Sequence, residues 1–99
     1  MARLENLATI FKALSDPNRL AILALIRKRC GSECSVSTEQ AGNTVSELAA
    51  QFELSLSTVS HHVKELKNAG LIRCEKRGQW VYCAINQSVL DKVSQFLAS

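Results

Sequence analysis

The sequence predicts a mostly α-helical fold with one small β-hairpin. Three observations carry that expectation. Apolar residues recur at helical spacing in successive stretches, short hydroxyl or carboxylate residues stand where those stretches begin, and one stretch near the C-terminus changes to strand-forming residues around a glycine.

At 99 residues the chain is one domain's worth, and so short a chain buries a smaller fraction of its surface than a longer one, so help from a second subunit would be unsurprising. A composition of 46% hydrophobic and 21% charged residues is too apolar for a disordered tail. No apolar run reaches the length of a membrane-spanning helix, and Met1-Ala2-Arg3-Leu4-Glu5 has no signal-peptide core, so a cytoplasmic protein without a membrane partner is expected. The net charge of +3 is compatible with a polyanionic partner without establishing one.

Between Arg3 and Leu14, the residues Leu4, Leu7, Ala8, Phe11 and Leu14 make one apolar stripe and an amphipathic first helix. Ser15-Asp16-Pro17 supplies a cap followed by proline at the first helical position, opening a second helix that runs to about Arg29. Gly31 to Asn43 lacks periodicity and reads as a long loop. Thr44-Val45-Ser46-Glu47 is a capping-box pattern for a short third helix with Val45, Leu48, Ala49 and Phe52 on one face. Ser55 caps a fourth helix that extends to Ala69 and is closed by Gly70. Leu71 to Cys74 and Gln79 to Ile85 read as strands around the basic tip Lys76-Arg77-Gly78-Gln79, and Ser88 with Asp91 caps a last helix bearing Val89, Leu90, Val93, Phe96 and Leu97.

A step of about 100° per residue places Leu56, Val59, Val63 and Leu66 on the side of the fourth helix that packs on the third. The opposite side carries Ser57, Ser60, His61, Lys64 and Asn68, short hydrogen-bonding groups and one cation, which suit base edges and phosphates in a major groove. His61 points away from the apolar side and is the contact candidate, whereas His62 borders that side and is expected to be packed and hydrogen-bonded. Lys76 and Arg77 would neutralise phosphates beside the groove. A short capped helix, a tight turn, an apolar-backed helix and a basic-tipped hairpin, in that order, describe a winged helix-turn-helix that binds double-stranded DNA. The expected organisation is one such domain over residues 1–99.

Three runs carry a resemblance: Phe11-Lys12-Ala13-Leu14-Ser15-Asp16-Pro17-Asn18-Arg19-Leu20-Ala21-Ile22-Leu23, Leu54-Ser55-Leu56-Ser57-Thr58-Val59-Ser60-His61-His62-Val63-Lys64-Glu65-Leu66, and Gly78-Gln79-Trp80-Val81-Tyr82. Together they resemble the ArsR family of metalloregulatory repressors over nearly the whole chain. The resemblance implies a homodimer whose first and last helices pair across the two-fold axis, and a repressor that leaves its operator when an inducer binds. It also implies Ser57, Thr58, Ser60 and His61 as reading positions and Lys76, Arg77, Gly78 and Gln79 as the wing tip.

Two departures bear on the inducer. The family's Cys-x-Cys metal site would fall at Thr44-Val45-Ser46, which has no thiol, and its second site uses aspartate and histidine on the last helix, where Ser88 to Ser99 offers Asp91 and no histidine. The usual metal sites are therefore not expected. Of the chain's own four cysteines, Cys30 and Cys34 form a C-x₃-C pair beside Lys28 and Arg29, and can reach one soft ion or each other. They read either as a sensor of a metalloid, soft metal or oxidant, or as two surface cysteines without a role. Cys74 and Cys83 fall on the hairpin strands, where packing is the expected role; a turn at Arg77-Gly78 would make them diagonal neighbours, and no bond between them is expected.

No residues stand at useful spacings for an enzyme active site, so no catalytic residue is expected. A reading from another class, a winged-helix interaction module that does not read DNA, predicts binding that ignores salt and a dispensable histidine face.

Overall fold

A computed structural model describes residues 2–30 and 44–98, with side chains for residues 4–28 and 44–98. The elements are α1 (Ala2–Ala13), α2 (Pro17–Cys30), α3 (Val45–Phe52), α4 (Leu56–Asn68), β1 (Ile72–Arg77), β2 (Trp80–Ile85) and α5 (Gln87–Ala98). The mostly helical architecture with one antiparallel hairpin is the one the sequence predicts. No helix among the described residues is long and apolar enough to cross a membrane.

Each start signal acts through a specific hydrogen bond. Asp16 Oδ1 accepts from the backbone N–H groups of Asn18 (2.8 Å) and Arg19 (3.2 Å) and so caps α2. The N–H of Arg19, and to a lesser degree that of Asn18, favour the ionised form against the opposing effect of desolvation, so the Asp16 carboxyl lies below its ordinary value. Thr44 Oγ1 accepts from the Glu47 N–H at 3.2 Å and donates to Glu47 Oε1 at 2.9 Å. Ser55 Oγ accepts from the Thr58 N–H at 3.2 Å at the start of α4.

The core gathers Ile22 and Ile26 of α2, Leu48 of α3, Val59 and Leu66 of α4, and Leu71, all fully enclosed. α4 packs against α2 and α3, while β2 packs against the same two helices. The sheet is also extended on its open side, because Thr44 forms an antiparallel bridge to Tyr82. One residue thus starts α3 and ties it to the hairpin.

Several expectations need correction. The α1 stripe divides: Leu7, Ile10 and Ala13 face the core, whereas Leu4 and Phe11 are 49% and 39% exposed and Ala8 faces solvent. Two apolar arcs on one helix cannot both meet the same core, and the second lies beside α5, with the Phe11 and Phe96 ring centroids 6.2 Å apart. Leu56 does not pack on α3 but is 54% exposed, because it is the first residue of α4 and precedes the turn that meets the core. Helix α5 starts at Gln87 rather than after Ser88. Asn86 occupies the preceding position, its carbonyl accepting from Val89 N–H, its Nδ2 donating to Gly70 O at 2.9 Å, and its Oδ1 accepting from the Ser88 hydroxyl.

The hairpin turns at Gly78-Gln79, with Arg77 opposite Trp80. Gly78 has φ +60°, the conformation a two-residue turn requires at its first position when glycine occupies it. The first strand therefore extends to Arg77, and Cys74 stands directly opposite Cys83 rather than diagonal to it.

The turn between α3 and α4 carries a cost. Glu53 N–H bonds to Ala50 O and Leu54 N–H to Ala49 O, closing α3, while Glu53 itself adopts φ 55°, ψ 33°, where a side chain crowds the backbone. Gly70 closes α4 in the same way, at φ 81°, without that penalty. Glu53→Gly should therefore stabilise the fold by about 0.5–1 kcal/mol, the relief of left-handed crowding outweighing glycine's extra unfolded-state entropy. Urea unfolding would measure this, and a destabilised variant would mean that the Glu53 side chain contributes more than its backbone strain removes.

Candidate nucleic-acid interface

Helix α4 is placed by its inner face. Val59, Val63 and Leu66 are enclosed, and His62 is buried at 8% exposure. That arrangement leaves Ser57, Ser60, His61 and Lys64 on the outer face, at spacings of three, four and seven residues from the first, all exposed. The expected side of the helix is the one that faces outward.

The first turn of this face is ordered by its cap. Ser55 Oγ donates to Thr58 Oγ1 at 2.7 Å and lies 3.3 Å from Ser57 Oγ. Thr58 is exposed but shares the cap network, while Ser60, His61 and Lys64 sit beyond it. The N-terminal end of α4 also presents unsatisfied backbone N–H groups and the positive end of the helix dipole, which favour a phosphate.

His62 differs from its expectation in one respect. It is packed, with its ring 5.9 Å from that of His61, but its buried Nδ1 has no hydrogen-bond partner among the described residues. Nε of Arg19 in α2 is likewise enclosed without a partner among the described residues.

In the wing, Lys76, Gly78 and Gln79 are exposed. Arg77 is half-buried and lies back along the hairpin, its Nε 3.5 Å from Glu75 Oε1 and its guanidinium carbon 5.9 Å from the Tyr82 ring centroid. Lys76 is thus the more outward of the two cations. Trp80, opposite Arg77, is 44% exposed. Two large apolar side chains, Leu56 at the start of α4 and Trp80 beside the wing tip, are thus exposed. Periodicity placed Leu56 in the core, and the sole signal for Trp80 was its nearness to the turn.

The metal sites implied by the family resemblance do not fit the donors present. Thr44, Val45 and Ser46 carry no thiol, and among the described residues no group of three or more His, Cys, Asp or Glu could hold an ion. The Cys30 side chain and Cys34 lie outside the described residues. Cys74 and Cys83 are free thiols with their sulfurs 3.7 Å apart.

A helix-turn-helix domain family model matches residues 14–75, spanning α2 to β1. The arsenical resistance operon repressor of Staphylococcus xylosus is 36% identical over 93 residues, covering 94% of this chain and 78% of that protein. The chain belongs to the ArsR family of winged helix-turn-helix regulators. Among solved structures, an ArsR family transcriptional regulator superposes with a TM-score of 0.74 at 34% identity, covering 95% of this chain and 84% of that one. A homodimeric winged helix-turn-helix DNA-binding domain from Mycobacterium bovis gives a TM-score of 0.72 at 27% identity over 98% of this chain and 82% of its own.

If the outer face of α4 reads bases, His61→Ala should lose about 1–3 kcal/mol of affinity for a selected operator while leaving random DNA nearly unaffected. Competition binding at fixed salt decides this. Equal losses on both duplexes would make His61 a phosphate contact.

Proposed function

We propose that this ArsR-family regulator is a cytoplasmic, homodimeric repressor that reads a two-fold symmetric DNA operator. The observation that carries the reading is the outward row Ser57, Ser60, His61 and Lys64 on a helix whose opposite face is locked into the core. Thr58 joins the row through the Ser55 cap, and Lys76, Arg77, Gly78 and Gln79 lie along the flanking phosphates. These side chains have no catalytic duty.

A second copy completes the reader. α5 exposes Phe96 and Leu97, α1 exposes Leu4 and Phe11, the Phe11 and Phe96 rings meet, and no residue of α5 is buried within one chain. The homodimeric neighbour from Mycobacterium bovis supports pairing of this kind. A dimer would set two α4 helices about one DNA turn apart, roughly 34 Å. Leu97→Glu should therefore disperse the dimer, read by sedimentation, and weaken operator binding; a variant that stayed dimeric would move the interface elsewhere.

Release is proposed to follow reaction of cysteine thiolates with a metalloid, a soft metal or an oxidant, with Cys30 and Cys34 as the sites read from the sequence. The relatedness to an arsenical resistance repressor supports a thiol-directed inducer, while the missing thiols at Thr44 and Ser46 argue against the family's usual position for it.

The test is operator selection from random duplexes at fixed salt, followed by the salt dependence of binding. Lys76→Ala should weaken specific and random DNA alike and reduce the slope of log affinity against log salt by about one. Failure to select any sequence, with salt-independent association instead, would overturn the reading in favour of an interaction module.

A further inference from the structure

Two cysteines that the DNA-reading site does not use face each other across the hairpin. In the register of β1 and β2, Cys74 pairs with Cys83, and their sulfurs are 3.7 Å apart. Both lie on the hairpin face that packs on the core. Along that face the paired residues run from Ile72 and Ile85, both buried, through Cys74 and Cys83, to Lys76 and Val81 near the tip. The dithiol stands where the hairpin leaves the core and becomes a free wing.

The two sulfurs are not equivalent. Cys83 is 2% exposed, whereas Cys74 is only partly buried and is the one an incoming reagent reaches. A hydrogen bond from the Cys83 thiol, with some help from the Lys67 charge, draws the Cys74 thiol below its ordinary value against the opposing effect of burial. The same hydrogen bond, reinforced by burial and by the Cys74 charge, pushes the Cys83 thiol up. Cys74 is thus fitted to attack first and Cys83 to resolve.

We infer that Cys74 and Cys83 form a reversible oxidation site, closing to a cross-strand disulfide that resets the wing and lowers operator affinity. The oxidant class is a peroxide. The Cys74 thiolate attacks one peroxide oxygen, the O–O bond breaks, and the leaving oxygen departs as hydroxide or alkoxide and takes up a proton. Cys74 now carries S–OH. The Cys83 sulfur attacks the Cys74 sulfur, the S–O bond breaks, and the hydroxide leaves with the Cys83 proton as water. Two thiols are oxidised by two electrons, the peroxide is reduced by two, and a dithiol reductant reverses the change.

Closure requires the sulfurs to approach from 3.7 Å to a bond length of about 2.05 Å, which directly opposed side chains can reach by side-chain rotation and a small shift of the strands. That shift is transmitted in two directions. Towards the tip it moves Lys76 to Gln79, the residues assigned to phosphate contact. Across the sheet it acts on Tyr82, next to Cys83, whose backbone bridges to Thr44 at the start of α3. The loss of affinity rests on the DNA-reading proposal, whereas the thiol chemistry does not.

The full-length wild-type protein is treated with hydrogen peroxide, quenched, and analysed without DNA by intact mass and by mapping of non-reduced peptides. The expected product has lost two hydrogens and contains a Cys74–Cys83 cross-link that dithiothreitol removes. Separate oxygen adducts on the two cysteines, or cross-links that avoid them, would overturn the site. Oxidised protein should then bind the selected operator about tenfold more weakly than reduced protein, as expected for the loss of one or two phosphate contacts. This difference should persist in C30S/C34S and vanish in C74S. A cross-link that leaves affinity unchanged, or a response that vanishes in C30S/C34S, would overturn the link to the wing. Reduced protein that selected no duplex would refute the DNA-reading proposal alone, the mass measurement still deciding the thiol site.

Discussion

The position of α4 is the constraint on which everything else depends. Burial of Val59, Val63 and Leu66 stabilises the fold by about 1.5–3 kcal/mol for each side chain, against about 1 kcal/mol for a typical cap such as Ser55. Packing therefore decides which way the helix is rotated, and the cap decides where it starts. Once those are set, Ser57, Ser60, His61 and Lys64 have no direction left but outward. The outward polar face is a consequence of the core.

The wing is placed by a second, smaller joint. Thr44 caps α3 with its side chain and pairs with Tyr82 through its backbone, so the third helix and the hairpin share one buried residue. On the other side, Asn86 holds the end of the hairpin to the end of α4 through Gly70 and Leu71. Helix-turn-helix and wing are thus fastened at the middle of β2 and just past its end. Movement of one should be felt by the other.

Much of this was legible in the sequence because the deciding interactions are local. Asp16, Thr44 and Ser55 each satisfy N–H groups two or three residues away, and Gly70 answers a single φ angle, so a short window contains the whole cause. What escaped is decided at longer range. α1 carries two apolar arcs, and which one meets the core depends on where α4 lies. The register of the hairpin turned on which two residues form the turn, a displacement of one position that changed Cys74 and Cys83 from diagonal to opposed. Leu56 fitted the stripe in projection but sits where α4 has not yet reached its neighbour. Nothing local marked Glu53 as left-handed, since glycine is the usual signal and is absent there.

Thr44 also bears on where the proposed thiol-based signal would sit in this chain. A ligand at the start of α3 must be free to leave the helix cap and bind an ion. Here that residue is buried, its hydroxyl both accepts from and donates to Glu47, and its backbone holds β2. Converting it to a ligand would release the very joint that ties the wing to the helix-turn-helix. The hairpin thiols avoid that conflict, because Cys83 adjoins the joint without belonging to it. Chemistry there can strain the Thr44–Tyr82 pairing while the cap stays intact, so the helix-turn-helix remains folded as the wing moves.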